Sequence, residues 1–138
     1  MKMSIHVAAN AATQLRPTLI SIVDDDECVK CAMGVLVRSL GYVSAIYSSA
    51  EDFLDSNRVT DTSCLITDLH MPGLTGVELH RRLLANGFAV PTIFITGLPD
   101  ETTRTQVLAA GAVAFLSKPV GRESLSDCLK TALIRRNS

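Results

Sequence analysis

The sequence predicts an α/β fold: a doubly wound (βα)5 chain whose five-stranded parallel sheet has the order 2-1-3-4-5. Five apolar runs of four to six residues are rich in β-branched side chains, and helix-length segments separate them. Such runs are typical of parallel strands buried on both faces. Four of the five runs lead directly into polar side chains. These side chains meet in one crevice only if strands one, three, four and five lie side by side, which favours this order.

The first half of the chain predicts two strand–helix units. Residues 18–23 are expected to form strand one, and residues 43–47 strand two. Between them, apolar residues recur at helical spacing and Gly41 ends the helix; they are Val29, Ala32, Met33, Leu36, Val37 and Leu40. Ser49 is expected to cap a short helix, with Asp52 near its positive end. Residues 56–62 have the composition of a surface loop.

The second half predicts three further units. Strands are expected at residues 64–67, 92–95 and 113–117. A helix follows the turn-rich residues 71–76, and a weaker helix covers residues 102–110 and ends at Gly111. A last helix presents one apolar face, which contains Leu125, Cys128, Leu129, Ala132 and Leu133. The domain is therefore expected to span residues 18–136, after a flexible N-terminal tail of residues 1–17.

Composition limits the classes of function. The chain has 138 residues, 47% of them hydrophobic and 20% charged, which suits one domain with a real core. A formal net charge of −1 offers no basic footprint, so we expect no nucleic-acid binding by this chain alone. No apolar stretch reaches the roughly 18–20 residues that span a bilayer, so we expect a cytoplasmic protein without a membrane partner.

Four cysteines raise the question of metal or disulfide chemistry. Cys28 and Cys31 have CxxC spacing, but they fall inside a helical pattern, and no second pair stands at zinc-finger spacing. We therefore interpret these two, with Cys64 and Cys128, as reduced thiols that serve as small packing residues. A zinc site is the alternative.

Three carboxylates, a hydroxyl and an ammonium are expected to meet at one edge of the sheet. Asp24 and Asp25 follow strand one, Asp68 follows strand three, Thr96 follows strand four and Lys118 follows strand five. Two carboxylates ~4 Å apart repel by about 4 kcal/mol at an effective dielectric of ~20, and a divalent cation removes that penalty. All-oxygen ligands indicate Mg²⁺ or Mn²⁺.

Several of the acids in these segments also have a simpler, structural interpretation. Asp26 and Glu27 are expected to be acids at a helix N-terminus, and an aspartate such as Asp68 often caps a turn. Beside two partner acids, however, Asp68 becomes a candidate nucleophile towards phosphorus. The adjacent residues 80–82 (HRR) are expected to lie on a solvated helix face.

The motifs in combination resemble a known family. Residues 22–27 (IVDDDE), 67–73 (TDLHMPG), 94–97 (FITG) and 115–119 (FLSKP) occur in the order found in receiver domains of two-component response regulators. The resemblance covers about residues 18–134 and is nearest to the nitrogen-fixation and nodulation type. It implies a flavodoxin-like receiver fold, a histidine kinase as phosphodonor and a Mg²⁺ cofactor.

The resemblance assigns the metal and acceptor residues. Asp68 corresponds to the phosphoacceptor. Asp25 corresponds to a direct metal ligand, and Asp24 to an acid that holds metal-bound water. The third protein ligand, besides Asp25 and Asp68, is the backbone carbonyl of His70, so the unusual side chain there should not prevent metal binding.

The resemblance also assigns the switch residues. Thr96 corresponds to the switch hydroxyl, Lys118 to the phosphoryl-binding cation and Phe115 to the aromatic switch, although Phe115 also fits a packed core residue. The Lys118–Pro119 bond is expected to be cis, which is true of about 5–6% of X-Pro bonds. The resemblance also implies that Leu98 and the side chain of His70 border the path of hydrolytic water.

The resulting hypothesis is a phosphoacceptor, not an enzyme: its chemistry is confined to its own phosphorylation and dephosphorylation. Phosphorylation is expected to switch the face formed by helix four, strand five and helix five towards a partner or a homodimer, for transcriptional control. A DNA-binding output domain would then lie in a longer regulator. The alternatives are a pseudo-receiver that acts as a binding module and a Mg²⁺-dependent phosphohydrolase with an aspartyl intermediate.

Overall fold

Five parallel strands form one sheet in a computed structural model that describes residues 18–136. The strands are Leu19–Val23 (β1), Val43–Tyr47 (β2), Cys64–Asp68 (β3), Thr92–Thr96 (β4) and Ala114–Ser117 (β5). Their order is β2-β1-β3-β4-β5 and every neighbouring pair is parallel, which confirms the predicted fold class and strand order. The expected tail, residues 1–17, lies outside the described residues.

A helix follows each strand. The helices are Glu27–Ser39 (α1), Ala50–Leu54 (α2), Gly76–Ala85 (α3), Glu101–Ala109 (α4) and Arg122–Arg136 (α5). The α4 helix begins one residue earlier than predicted, because the Asp100 side chain accepts the backbone N–H of Thr103 as its N-cap. Strands β3 and β4 extend through Asp68 and Thr96, so the strand backbone itself holds these two side chains.

Local capping defines the starts of the helices. Asp26 caps α1, which agrees with its predicted place at a helix N-terminus, and Ser49 caps α2 as predicted. At α3, Thr75 and Glu78 form a reciprocal capping box, in which each side chain accepts the other residue's backbone N–H. Gly41 follows the end of α1 at φ 97°, a left-handed conformation that glycine adopts without strain, and this confirms the predicted stop.

Helices cover both faces of the sheet. On one face, α1 and α5 pack against β1, β3 and β4 through a cluster that includes Ile22, Ile66, Val37 and Leu129. On the other face, α2 and α3 pack around Phe53 and Leu79, and α4 packs around Phe94 and Val107. Every residue of β1, β3 and β4 is buried, as predicted. The edge strands β2 and β5 are only partly buried, so the expectation of two buried faces is wrong for them.

Three placements differ from the sequence interpretation. Cys28 and Cys31 are exposed on α1, so they are not packing residues, whereas Cys64 is buried and Cys128 is half-buried. His80 does not lie on a solvated face: only 5% of it is exposed, and its ring meets the ring of Phe94 edge-on at 5.5 Å. In the predicted surface loop 56–62, Val59 and Thr62 are buried.

The cysteines also bear on the alternative of a zinc site, and the helices bear on the question of a membrane span. All four thiols are reduced, and within residues 18–136 no cysteine belongs to a cluster of three or more metal-ligating side chains. Among the helices of the described range, none has both the length and the apolar character that a bilayer span requires.

Candidate metal centre

The strand register brings the predicted residues to one edge of the sheet. Asp24 directly follows β1, and Asp68, the last residue of β3, pairs with Ile95. Thr96 is the next residue of β4, and its partner is the last residue of β5, after which Lys118 follows. The ends of β1, β3, β4 and β5 therefore carry, in the order of the sheet, Asp24, Asp68, Thr96 and Lys118. This arrangement places a hydroxyl and an ammonium beyond a floor of carboxylates.

Three carboxylates form the floor of this site. Oxygen atoms of Asp24, Asp25 and Asp68 all lie within 4.8 Å of one another. Asp24 is fully buried, 6% of Asp68 is exposed, and Asp25 is exposed, so the cluster opens to solvent on the Asp25 side. Among the described residues this is the one group of three or more side chains that could hold a metal ion. Hard, all-oxygen donors of this kind suit Mg²⁺.

Asp24 is held by the backbone around it. Its own N–H donates to the carbonyl of Tyr47 at 3.1 Å, and its Oδ1 accepts the N–H of Asp26 at 2.9 Å. Asp24 Oδ2 lies 3.0 Å from Lys118 Nζ, yet it is buried and accepts no well-directed hydrogen bond. A buried carboxylate oxygen with unused acceptor capacity fits a cation or a metal-bound water.

Lys118 balances part of the negative charge. Its ammonium lies 3.0 Å from Asp24 Oδ2 and 3.4 Å from Asp68 Oδ1. One ammonium against three carboxylates leaves an excess of two negative charges, which matches one divalent cation. The charge balance and the donor set therefore both fit Mg²⁺.

The charges shift the pKa values within the cluster. Burial and then repulsion by Asp24 raise the pKa of Asp68, and the Lys118 ammonium opposes that rise only in part. For Lys118, burial acts to lower the pKa, but its contacts with Asp24 and Asp68 outweigh burial and raise the pKa. Lys118 is therefore charged at neutral pH. Without a bound cation, burial and Asp24 destabilise the ionised form of Asp68.

Thr96 presents a hydroxyl near the same edge. The residue is fully buried, and its Oγ1 accepts the backbone N–H of Leu98 at 3.0 Å. This contact leaves the hydroxyl hydrogen for an acceptor. Leu98 itself is 74% exposed. The structure thus places Thr96 at the end of β4, with one hydrogen-bond donor unused.

The remaining predicted residues lie close to this edge. His70, two residues beyond Asp68, is exposed. Phe115 is half-buried in β5 and packs with the cluster around Phe94. The Lys118–Pro119 peptide bond is cis, as predicted.

Gly76 packs against the candidate site in a way that the sequence analysis did not predict. A Cβ atom at this position would lie 2.1 Å from the backbone oxygen of Asp68 and 3.2 Å from the Cα of Leu69. The first residue of α3 therefore packs directly against the peptide that carries Asp68. A glycine at a helix start was the available signal, but it does not reveal which backbone passes so close.

Lys30 is a second residue near the site whose contacts the sequence analysis did not predict. Its side chain is only 6% exposed and forms an ion pair with Glu27 at 2.7 Å. The ammonium also donates to the Ser48 hydroxyl, in the loop after β2. Lys30 thus ties the first turn of α1, next to the acidic cluster, to the neighbouring strand end.

Comparison with known proteins identifies relatives of this arrangement. Residues 20–130 match the family model described as the response regulator receiver domain. The response regulator protein TmoT of Ectopseudomonas mendocina is 39% identical over 84% of this chain and 53% of its own length. Nodulation protein W of Bradyrhizobium diazoefficiens is 34% identical over 85% of this chain and 52% of its own length. The chain therefore spans about half the length of these curated relatives.

Solved structures are similar as well. The crystal structure of FixJ-N has a TM-score of 0.76 at 33% identity, covering 85% of this chain and 94% of that one. The low-resolution structure of the response regulator StyR has a TM-score of 0.81 at 32% identity, covering 88% of this chain and 61% of that one. The resemblance to the nitrogen-fixation and nodulation regulators is thereby confirmed.

Proposed function

The chain belongs to the family of response regulator receiver domains, and on that premise we propose that Asp68 is its phosphoacceptor. Receiver domains of this family are signalling modules that histidine kinases phosphorylate and that bind Mg²⁺ through an acidic pocket. The observation that carries the assignment is the cluster of three carboxylates whose oxygens lie within 4.8 Å, facing the Lys118 ammonium. Of the three, Asp68 is the one at the end of a central strand.

The same cluster would hold the cation. Asp25 and Asp68, with the backbone carbonyl of His70, would ligate Mg²⁺, for which Mn²⁺ could substitute, and Asp24 would hold a metal-bound water. When bound, the cation neutralises charge on the phosphoryl oxygens. The buried and under-used Oδ2 of Asp24 supports this role for Asp24.

The chain's own residues perform the transfer. A carboxylate oxygen of Asp68 attacks the phosphorus of a kinase phosphohistidine in line, the P–N bond breaks, and an acyl phosphate forms. Lys118 binds a phosphoryl oxygen, since its ammonium already lies 3.4 Å from Asp68. The new group adds about −1.5 to −2 charges and three acceptors.

Thr96 and Phe115 then serve as the switch. The Thr96 hydroxyl donates to the new phosphoryl group, which pulls on the loop that carries Leu98 because Leu98 N–H is bonded to Thr96 Oγ1. The half-buried ring of Phe115 packs beside α4 and can respond to that movement. The face formed by α4, β5 and α5 would thereby change its affinity for a partner or a second copy.

The wider role follows from the relatives. Because the chain spans about half of their length, we propose that it works in transcriptional control within a regulator that carries an output domain elsewhere. The joint presence of the acids, the hydroxyl and the ammonium in one crevice supports a phosphorylated receiver over a pseudo-receiver. Self-phosphorylation, self-dephosphorylation and a cytoplasmic location stay predictions.

Acetyl phosphate with Mg²⁺ tests the acceptor. Intact mass and peptide mapping should find one phosphoryl group, on Asp68, and Asp68→Asn should take up none. Asp61→Asn is the matched control, because Asp61 is an exposed acid that lines a cavity beside the beginning of β1. Undiminished labelling of Asp68→Asn, or a phosphoryl group mapped to another residue, would refute the assignment.

A further inference from the structure

Two exposed thiols on α1 have no role in the proposed phosphorylation. Cys28 is the second residue of the helix and Cys31 the fifth, and both are reduced and exposed. Cys31 Sγ donates to Glu27 Oε2 at 3.5 Å, so this thiol already lies along the first turn. The other two cysteines differ: Cys64 is buried in β3 and Cys128 is half-buried on α5.

The helix brings the two thiols close to bonding range. Residues three apart in an α-helix have Cα atoms about 5 Å apart, within the range of roughly 4.4–6.8 Å that disulfides use. Their Cβ atoms, however, are roughly 5–6 Å apart, whereas a relaxed disulfide needs about 3.8 Å. A bond between Cys28 and Cys31 therefore requires the first turn of α1 to tighten. Strained and exposed disulfides are the readily reduced, regulatory kind.

This first turn also supports the metal centre. The Asp26 side chain caps the turn by accepting Val29 N–H at 3.1 Å, and the Asp26 N–H donates to Asp24 Oδ1 at 2.9 Å. Lys30, which stands between the two cysteines in the sequence, forms an ion pair with Glu27 and donates to the Ser48 hydroxyl. We expect a tightened turn to disturb these contacts, which include the hydrogen bond that Asp24 accepts from Asp26 N–H.

We propose that Cys28 and Cys31 are a dithiol modification site, which a small soluble disulfide oxidises to an intrahelical disulfide, and that this bond weakens divalent-cation binding at the acidic cluster. The second half of this inference rests on the proposed metal site, while the first half does not. Oxidation thereby lowers phosphorylation of Asp68 without touching Asp68.

The exchange is balanced. The Cys28 thiol loses its proton and attacks one sulfur of the oxidant, which releases one thiol and leaves a mixed disulfide on Cys28. Cys31 then attacks the Cys28 sulfur and releases the second thiol. Two protein thiols are oxidised, and one small disulfide is reduced to two thiols, which take up the two protons. Cys28 attacks first because the hydrogen bond to Glu27 raises the pKa of Cys31.

Peptide mapping of the 138-residue chain, oxidised with glutathione disulfide and alkylated, tests the bond. We expect a Cys28–Cys31 disulfide, with Cys64 protected because burial raises its thiol pKa. Cys128→Ser should still form the bond, and Cys31→Ser should stop at a mixed disulfide on Cys28. A chain without the bond, or with a Cys64–Cys128 bond in its place, would overturn the proposal.

Calorimetric Mg²⁺ titration of reduced and oxidised chain tests the coupling. We expect about tenfold weaker binding after oxidation, because disturbing the groups that orient metal ligands costs roughly 10–100-fold in affinity. A dithiol reductant should restore binding, and oxidant should leave the affinity of the double variant Cys28→Ser/Cys31→Ser unchanged. Equal affinity in both forms would overturn the coupling. If the reduced chain bound no Mg²⁺, the metal site and the coupling would both fail, while the mapping would still decide the disulfide.

Discussion

The two ends of the sheet differ in how they hold their charged side chains. At the carboxyl end, Asp24 and Asp68 are buried, and the ammonium of the half-buried Lys118 lies 3.0 Å from Asp24 and 3.4 Å from Asp68. At the amino end, a cavity of about 380 Å³ is lined by exposed charged residues such as Arg58 and Asp61. The proposed chemistry therefore rests on the buried, converging charges of the carboxyl end and not on the volume of a cavity.

Helix direction explains the contrast. Helices that follow parallel strands begin near the carboxyl ends of those strands, so their positive ends point towards the acidic cluster. At the opposite edge, α5 ends in Arg135 and Arg136, which suit its negative end. The carboxyl edge thus suits anionic groups, while at the amino edge Arg135 donates to the backbone carbonyl of Gly111 at 3.2 Å.

The largest effect should come from removing the Lys118 ammonium. Lys118→Ala should slow phosphorylation of Asp68 by acetyl phosphate at least ~100-fold, because one preorganised group facing a developing charge contributes about 2.7–4 kcal/mol. Arg58→Ala, at the other edge, should react like the parent chain. A time course of intact mass measures both rates. Equal rates for Lys118→Ala and the parent chain would contradict the proposed role of the ammonium.

Mg²⁺ should stabilise the chain through the carboxyl edge alone. At a concentration 100 times its Kd, Mg²⁺ should raise the free energy of unfolding by about 2.7 kcal/mol. Asp25→Asn should lose most of this gain, while Asp61→Asn at the amino edge should keep it. Urea unfolding with and without Mg²⁺ provides the measurement. Equal stabilisation of the two variants would place the cation elsewhere.

Gly76→Ala should strain the carboxyl edge through its backbone. The new methyl group would lie 2.1 Å from the Asp68 carbonyl oxygen, and overpacking of this kind costs about 1–3 kcal/mol. Gly97→Ala is the matched control, because a Cβ atom there meets nothing within 4 Å. Thermal unfolding compares them. The close packing of α3 on β3 would be disproved if both substitutions had the same small effect.

The smallest effect should be a pH-dependent gain on neutralising Asp68. Burial and Asp24 raise the pKa of this carboxyl in the folded state. Between the unfolded and the folded pKa, the folded chain therefore holds a proton that the unfolded chain has lost. Asp68 therefore lowers stability as pH rises from the unfolded pKa of about 3.9 through the higher folded pKa. Without Mg²⁺, Asp68→Asn should be more stable than the parent chain at pH 7 and lose that advantage below about pH 4. A constant difference between pH 3 and pH 7 would contradict this shift.

Much of the site could be predicted because its parts are local. Short β-branched runs mark β1, β3 and β4, and the residue that follows or ends each run is set by chain order alone. Since parallel strands end at the same edge, Asp24, Asp68 and Thr96 had to approach one another once the strand order was inferred. The cis bond at Pro119 and the cap at Ser49 came from local motifs too.

Other features depend on elements far apart in the sequence. His80 stands in a charged stretch, and it is buried because the ring of Phe94, on another element, lies against it. Cys28 and Cys31 have helical spacing with apolar neighbours, but the packing of the helix leaves both of them exposed.

The amino-acid order by itself determined the strands, the helices, the sheet order and the acids that meet at its edge, because hydrophobic periodicity and strand-end chemistry are written within a few residues. Tertiary structure alone decided how the site is held: the Lys118 ammonium between two carboxylates, the Lys30 anchor, and the close approach of Gly76 to the Asp68 peptide. Those contacts join segments that only packing brings together, and no local pattern states the distance between two such segments.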